Sequence, residues 1–215
     1  MNVLLDNLDL FRDGFVGTVS LTAASALLAL VLGVLIAGFR VSPVPPLRVF
    51  GTVWVTLLRN TPLTLLFMTA FFVVPVVLAP GTSSYLLGVL ALGFYTSSFV
   101  AEAVRSGINT VALGQAEAAR SIGMTFVQTL RLIVLPQATR TVLPPLSSIM
   151  IALTKNSAIA GAFNNFELFS VQKVLSDKGF NVMVIFLWVA LAYLVLVFAI
   201  SALFRALERR MGVAR

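Results

Sequence analysis

The sequence contains no cysteine and no histidine among its 215 residues. The absence of cysteine excludes a disulfide framework, a thiolate metal site and a cysteine nucleophile. The absence of histidine excludes a histidine-based hydrolase triad and removes the commonest general base and transition-metal ligand. We therefore predict no catalytic residue and no metal site, and we expect no cofactor in this chain.

Charged side chains are also scarce, at 11% of the residues, whereas 59% are hydrophobic and the mean hydropathy is +1.02. A soluble domain averages about 25% charged residues, so the composition is typical of an integral membrane protein. The net charge of +7 comes from basic residues that lie between apolar runs rather than in one patch with aromatics. This distribution favours membrane lipid and argues against nucleic acid as a partner.

Five apolar stretches approach the length of about 20 residues that crosses a bilayer. They predict an all-α fold with about five transmembrane helices in a single domain, 1–215, with spans at about 15–39, 50–78, 85–104, 142–163 and 182–204. The first stretch is preceded by Asp6, Asp9 and Asp13 and exceeds the length of a signal-peptide core, so we expect it to remain as a helix.

The distribution of lysine and arginine predicts the orientation of these helices. With the N-terminus outside, ten of the 15 basic residues fall on cytoplasmic segments: Arg40, Arg48, Arg105, Arg120, Arg131, Arg140, Arg205, Arg209, Arg210 and Arg215. Only Arg12, Lys173 and Lys178 fall outside. The positive-inside rule therefore predicts an external N-terminus and a cytoplasmic C-terminus.

The segment from about 106 to 141 is a long cytoplasmic connection between the third and fourth spans. Apolar residues at helical spacing predict two short helices in it, with Gly123 at the bend between them and Pro136 at the end of the second. Such a folded element could dock on another protein or lie on the membrane surface. Docking is favoured, because its alanines and glycines leave little apolar bulk to anchor in lipid.

Two basic residues, Arg59 and Lys155, fall inside predicted spans. At 1.5 Å per residue, each is placed roughly 12–15 Å from one end of its helix, in the middle third of the bilayer. A cation there usually faces a cavity or a partner, which indicates either a translocation path that attracts a carboxylate or a purely structural pairing. Similarly, Glu102 and Arg105 could form an ordinary ion pair or a latch near the cytoplasmic segment.

Four short sequences in this chain resemble motifs of the membrane subunits of bacterial ABC importers. They occur in the same order as in that family and at the corresponding places among the spans. Within the cytoplasmic segment, Glu117-Ala118-Ala119, Gly123 and Ile133-Val134-Leu135-Pro136 are similar to the EAA motif of that family. The remaining matches are similar to its polar amino-acid branch: residues 59–63 (RNTPL), 94–102 (FYTSSFVAE) and 153–157 (LTKNS). Residues 105–111 (RSGINTV), with Gly114 and Gln115, are similar to glutamate-uptake permeases.

The resemblance implies a type I ABC importer transmembrane domain in a bacterial plasma membrane, and it also implies the partners. These would be a second permease subunit (the same chain or a sister chain), two cytoplasmic ATPase subunits that bind ATP and Mg²⁺, an extracytoplasmic solute-binding protein and an amino-acid substrate. The residues expected to couple to the ATPase are Ala116, Glu117, Ala118, Ala119, Gly123, Leu135 and Pro136. Those expected along the substrate pathway are Arg59, Thr61, Thr96, Ser97, Lys155, Asn156 and Ser157.

The chain has no G-x-x-x-x-G-K-[ST] loop, so ATP hydrolysis is expected on a separate polypeptide and the chain alone is not an enzyme. The alternative function is a secondary transporter or channel subunit that needs no ATPase. It would explain the charges within the spans but not the folded cytoplasmic element, and five spans do not divide into the internal repeat usual in such transporters. A membrane scaffold would leave Arg59 and Lys155 unexplained.

Overall fold

The structure is a computed structural model that describes residues 3–78 and 80–212, so the predicted cytoplasmic Arg215 lies outside the described residues. The described residues are almost entirely helical and contain no strand, which confirms the all-α prediction. The α-helices are α1 (Leu8–Val41), α2 (Pro45–Asn60), α3 (Leu63–Met68), α4 (Ser84–Asn109), α5 (Leu113–Ser121), α6 (Phe126–Thr129), α7 (Leu135–Asn156), α8 (Ala158–Gly161), α9 (Leu168–Asp177) and α10 (Val182–Arg210). A 3₁₀ turn covers Leu5–Asn7, and π-helical segments cover Thr69–Leu78 and Leu130–Val134.

Helices α1 and α4 run side by side in the same direction and form the centre of the molecule. Small residues allow this close approach: a Cβ added at Gly33 would lie 2.5 Å from the Val100 side chain, and one at Gly93 would lie 2.6 Å from Leu28. In a membrane, such small residues at helix contacts are what lets backbones pack closely, because lipid provides no hydrophobic drive between helices. Helices α2 and α7 pack against this pair, whereas α10 packs against α7 and α9.

The predicted second span, 50–78, is not one straight helix. Helix α2 ends at Asn60, and the Pro45–Asn60 and Leu63–Val77 segments are bent by 102° at the break. Pro62 explains the break, because proline disfavours helical backbone in the residue before it, here Thr61, which is extended. Pro75 lies inside the following π-helical segment, whose wider turns accommodate a residue without a backbone N–H.

Three helices of the described chain are long and apolar enough to cross a membrane, namely Leu5–Val41, Ser84–Asn109 and Val182–Arg210, and the bent pair adds a fourth candidate. The predicted span 142–163 corresponds to α7, which begins earlier and ends at Asn156. It is more polar than the others, since Arg140, Thr141 and Lys155 lie on it. A helix of this kind needs cover from protein or water rather than lipid along its polar face.

Pro136 does not end the second helix of the 106–141 segment, contrary to prediction. The chain passes from α6 through the π-helical turn Leu130–Val134 directly into α7. A proline within a helix removes one hydrogen bond and crowds the carbonyl four residues earlier, here that of Leu132. The widened turn immediately before Pro136 relieves that conflict, so one continuous helical segment runs from residue 126 to residue 156.

Helix α9 was not predicted, because it is short and lies outside every long apolar stretch. Its Leu168, Val171 and Leu175 are fully buried and pack with Ile185 and Val189 of α10. Phe11 of α1 completes this second core. Helix α9 is therefore folded back against the two long helices rather than being a free loop.

Candidate functional site

One face of the pair α4–α7 carries two cavities. The first, here called the Glu102 cavity, has a volume of about 310 Å³ and is lined by residues that include Arg59, Phe99, Glu102, Ser106, Thr141 and Pro145. The second, the Asn156 cavity, has a volume of about 270 Å³ and is lined by residues that include Tyr95, Thr96, Phe99, Ser148, Ala152 and Asn156. Three side chains predicted for the substrate pathway, Arg59, Thr96 and Asn156, thus lie along one face.

The carboxylate of Glu102 brings three helices together. It accepts hydrogen bonds from Arg40 at the end of α1 and, at 2.5 Å, from Arg105 of α4, while Arg59 of α2 approaches to 4.0 Å. The predicted Glu102–Arg105 pair is therefore confirmed, but it is one part of a cluster. Arg40 is 62 residues away in sequence, so no spacing rule could have identified it.

The side chain of Arg59 is 42% exposed and faces the Glu102 cavity. Its guanidinium carbon lies 5.2 Å from the centre of the Phe99 ring, a cation–π geometry. Arg59 and Glu102 are at the same level, and Glu102 is seven residues, or about 10 Å, from the last residue of α4. Arg59 itself is the penultimate residue of α2, which ends at Asn60.

The Lys155-Asn156-Ser157 sequence lies where α7 ends. Lys155 is exposed and lines neither cavity, whereas Asn156 is half-buried and lines the Asn156 cavity. Ser157 is fully buried, and its hydroxyl donates to the Thr154 carbonyl at 2.7 Å. These three neighbours therefore point to three different environments.

Two other hydroxyl residues predicted for the pathway, Thr61 and Ser97, bond to backbone carbonyls three or four residues earlier. Thr61 donates to the Leu57 carbonyl at 2.7 Å. Ser97 donates to the Phe94 carbonyl at 2.6 Å and accepts a hydrogen bond of 3.1 Å from the Trp54 indole nitrogen. Thr96 is almost fully buried but reaches the wall of the Asn156 cavity.

Helix α5 and the turn after it form a surface that projects from the helix bundle. Glu117 and Ala118 are exposed, whereas Ala119 is buried and Ala116 is half-buried against the body of the protein. The two large apolar residues that flank this helix, Leu113 and Ile122, are 78% and 79% exposed. Neither residue was among those expected from the sequence to couple to the ATPase.

The predicted bend at Gly123 is confirmed, since its φ is +86°, a conformation that side-chain-bearing residues rarely adopt. Thr125 then begins α6 with a capping box: its hydroxyl accepts from the Gln128 amide at 3.3 Å, and Gln128 accepts from the Thr125 amide at 2.8 Å. Leu135 and Pro136 are both exposed at the start of α7. The element is thus two helices joined by the four residues 122–125, of which Gly123 has the positive φ.

Glu167 is a buried polar residue that sequence reasoning missed. Its side chain is fully buried at the start of α9, where it accepts hydrogen bonds from the Ser170 amide at 3.1 Å, from the Thr18 hydroxyl at 3.4 Å and from the Tyr193 hydroxyl. These contacts join α9 to α1 and α10. The only sequence signal is a single charge between Phe166 and Leu168, which does not distinguish a buried carboxylate from a surface one.

Residues 29–213 match the family described as the binding-protein-dependent transport system inner membrane component. Two relatives match nearly the whole chain. A probable glutamine ABC transporter permease protein, GlnM, of Bacillus subtilis is 37% identical over 211 residues, covering 98% of this chain and 97% of its own. The glutamate transport system permease protein GluC of Corynebacterium glutamicum is 39% identical over 210 residues, covering 92% of each chain.

The fold is similar to solved structures. A chain of an amino acid ABC transporter with histidines superposes with a TM-score of 0.88 at 28% identity, covering 96% of both chains. A chain of the MetNI methionine ABC transporter, in an inward-facing conformation, superposes with a TM-score of 0.80 at 22% identity, covering 97% of this chain and 98% of its own. At that identity the second likeness concerns the fold alone.

Proposed function

Because the chain belongs to the family of binding-protein-dependent transport system inner membrane components, we propose that it forms half of the translocation pathway of an importer for a polar amino acid, with glutamate as the substrate. It is a permease subunit of an ABC importer for amino acids, and ATP hydrolysis lies on a separate ATPase subunit. The observation that carries the proposal is the likeness to glutamate and glutamine permeases over nearly the whole chain.

The face of the α4–α7 pair that carries the two cavities, here called the open face, presents charges that would attract an anionic amino acid. The carboxylate of Glu102 is already bonded by Arg40 and Arg105, so Arg59 retains unneutralised charge beside the Glu102 cavity. Lys155 adds a second exposed cation near the Asn156 cavity. An acidic amino acid carries two carboxylates, and its net negative charge would be attracted to this face, whereas glutamine is neutral overall.

The uptake experiment uses the chain with its ATPase and solute-binding partners in proteoliposomes. We expect ATP-dependent uptake of labelled glutamate, stronger competition by unlabelled glutamate than by glutamine, and weak competition by arginine and cystine. Equal competition by glutamine and glutamate would assign the chain to a broader polar amino-acid importer. Accumulation without ATP would reject the importer.

Along the pathway, we retain Arg59, Thr96, Asn156 and Lys155 as residues that meet the solute. We propose that Thr61, Ser97 and Ser157 have structural roles instead, because their hydroxyls already donate to backbone carbonyls three or four residues earlier, and Ser97 also accepts from Trp54 of α2. Hydroxyl groups within membrane helices often have this structural role. The open face would be completed by the second permease subunit, either the same chain or a sister chain.

Helix α5 is the surface that we propose couples to the ATPase, with ATP and Mg²⁺ bound on that partner. Glu117 and Ala118 would face the ATPase, Leu113 and Ile122 would anchor the contact, and Ala116 and Ala119 would seat the helix on this chain. Gly123, Leu135 and Pro136 would transmit a movement of the ATPase from α5 to α7. This arrangement requires the α5 side of the protein to be cytoplasmic and the N-terminus to be external, as the basic residues indicate.

Cross-linking provides a direct test of docking, and the lack of cysteine in the chain removes any background thiol. In Ala118→Cys the thiol is exposed, whereas in Ala119→Cys, on the same helix, it is buried. We expect a thiol cross-linker to join the ATPase to Ala118→Cys and not to Ala119→Cys. If neither Ala118→Cys nor Ile122→Cys captures the ATPase, α5 is not the docking surface.

A further inference from the structure

Phe99 stands between the two cavities of the open face. It lines both of them, together with Ile149, while the other lining residues of each cavity continue in opposite directions along α4 and α7. Glu102 and Thr141 lie on one side of the ring, and Thr96 and Asn156 lie on the other. A solute that moved along this face from one cavity to the other would have to pass the Phe99 side chain.

Two contacts hold the ring in this position. Tyr95, one turn earlier on α4, lies with its ring centre 5.0 Å from that of Phe99. Arg59 approaches from a different helix and places its guanidinium carbon 5.2 Å from the ring centre. Because Arg59 belongs to α2, the second contact depends on how α2 sits against α4, and it would be lost if the two helices separated.

The pairing around Glu102 leaves Arg59 available for this contact. The closest approach between Arg59 and the Glu102 carboxylate is 4.0 Å, beyond hydrogen-bond distance, whereas Arg40 and Arg105 both bond to it. The carboxylate therefore attracts the guanidinium to this level without binding it directly. The Phe99 ring, 5.2 Å from the guanidinium carbon, also favours a cation.

We propose that Phe99 closes the passage between the Asn156 cavity and the Glu102 cavity, and that Arg59 is a positioning residue that keeps it closed by stacking on the ring. The inference rests on the proposed function, since it takes the open face as the solute path. A solute carboxylate that reached Arg59 would compete with the ring, because a charge-assisted hydrogen bond is stronger than a cation–π contact. Because Arg59 lines the Glu102 cavity and not the Asn156 cavity, this competition would keep the ring displaced once a solute carboxylate has entered the Glu102 cavity.

The test measures access to a single cysteine on each side of the ring, using the complex with its ATPase partner in membranes without ATP. Thr141→Cys places a thiol in the Glu102 cavity, and Ser148→Cys places one in the Asn156 cavity. A membrane-impermeant maleimide is applied from each side in turn. From the α5 side, we expect fast labelling of Thr141→Cys and slow labelling of Ser148→Cys.

Variants at the ring then test the barrier. Phe99→Ala should accelerate labelling of Ser148→Cys from the α5 side by about tenfold or more, and Phe99→Leu by less, while labelling of Thr141→Cys stays unchanged. Phe94→Ala is the matched control, because Phe94 lies on the same helix but lines neither cavity. Equal labelling of Ser148→Cys with and without the Phe99 ring would overturn the proposal.

Variants at Arg59 test its role separately. Arg59→Gln should accelerate labelling of Ser148→Cys about three- to tenfold, and Arg59→Lys, which keeps a cation, should restore slow labelling. Equal rates in Arg59→Lys and Arg59→Gln would remove Arg59 from the mechanism. If the cysteines are labelled at the expected rates but the complex does not take up glutamate, the proposed function is rejected, whereas the proposal that Phe99 separates the two cavities stands.

Discussion

The Trp54 indole nitrogen donates a hydrogen bond of 3.1 Å to the hydroxyl of Ser97, and this contact joins α2 to α4. The serine hydroxyl in turn donates to the Phe94 carbonyl, so every polar atom of the pair has a partner. Inside a bilayer no water replaces such a partner if it is lost. The contact therefore fixes the position of α2, which carries Arg59 to the open face.

We expect Ser97→Ala to lower the stability of the protein, because it leaves the Trp54 N–H without an acceptor. Interhelical hydrogen bonds in membranes contribute about 0.6–2 kcal/mol, so the loss should be a measurable fall in Tm. Ser98→Ala is the matched control, since Ser98 is equally buried but bonds only to the Tyr95 carbonyl of its own helix. Equal falls in Tm for both variants would show that the Trp54 contact adds nothing.

The Glu102 cluster consists of Glu102, Arg40, Arg59 and Arg105. Its contacts predict which substitutions lower the stability of the protein most. Glu102→Gln removes the charge that Arg40 and Arg105 share, and we expect it to destabilise the protein by about 1–3 kcal/mol. Arg59→Gln should cost far less, because Arg59 is half-exposed and 4.0 Å from the carboxylate. Thermal unfolding in nanodiscs gives the ranking. A larger loss in Arg59→Gln than in Glu102→Gln would contradict it.

Gly17 marks the place where the chain before α9 crosses α1. A Cβ at this position would lie 2.2 Å from the backbone carbonyl of Phe166, which cannot move without displacing the buried Glu167. Gly17→Ala should therefore cost about 1–3 kcal/mol as an overpacked contact. Gly38→Ala, on the same helix with no atom within 4 Å, should be neutral or slightly stabilising. The comparison is read from Tm and from the amount of protein inserted in the membrane.

The contrast between Gly33 and Gly17 shows what the sequence could and could not predict. Gly33 lies within a long uncharged stretch, and its span was predicted from composition and length alone. The crossing at Gly17 depends on α9, which has no local signal long enough to identify it. Similarly, Glu102 was paired with Arg105 because they are three residues apart, whereas its bonds to Arg40 and its approach to Arg59 arise only from the packing of α1, α2 and α4.

The α5–α6 turn was predicted because its signals are local. Gly123 lies between two runs of helical spacing, and it adopts the positive φ that such a bend requires. The continuation through Pro136 was missed because a proline normally ends a helix, and the π-helical turn that accommodates it leaves no mark in the residue types. The sequence also could not predict which alanines of the motif are exposed and which are buried, because this depends on how α5 packs against the rest of the protein.

Gly123 and Gly114 allow a test of coupling with a single methyl group. Neither has an atom within 4 Å of an added Cβ, but only Gly123 has a positive φ. Gly123→Ala should strain the turn by about 1–2 kcal/mol, whereas Gly114→Ala should not. We expect Gly123→Ala, and more strongly Gly123→Val, to lower glutamate uptake per ATP hydrolysed while membrane insertion is unchanged. Identical coupling ratios in the Gly123 and Gly114 variants would indicate that the turn geometry does not transmit motion.

Lys155 is an exposed cation at the end of α7, and its proposed role, to attract an anionic solute, depends on charge rather than on packing. Its side chain is exposed at the end of α7, next to Asn156, which lines a cavity. Lys155→Met keeps the aliphatic length and removes the charge, so the fold should be unaffected while the attraction for an anionic solute is lost. We expect a several-fold rise in the KM for glutamate, a smaller change for glutamine, and an unchanged Tm.

Lys173→Met on α9, also exposed but far along the chain from both cavities, is the control and should leave both KM values as they were. Because the predicted effect is electrostatic, it should shrink as ionic strength rises. An equal change of KM for both substrates, or a fall in Tm alone, would assign Lys155 to the structure of α7 and not to the solute path.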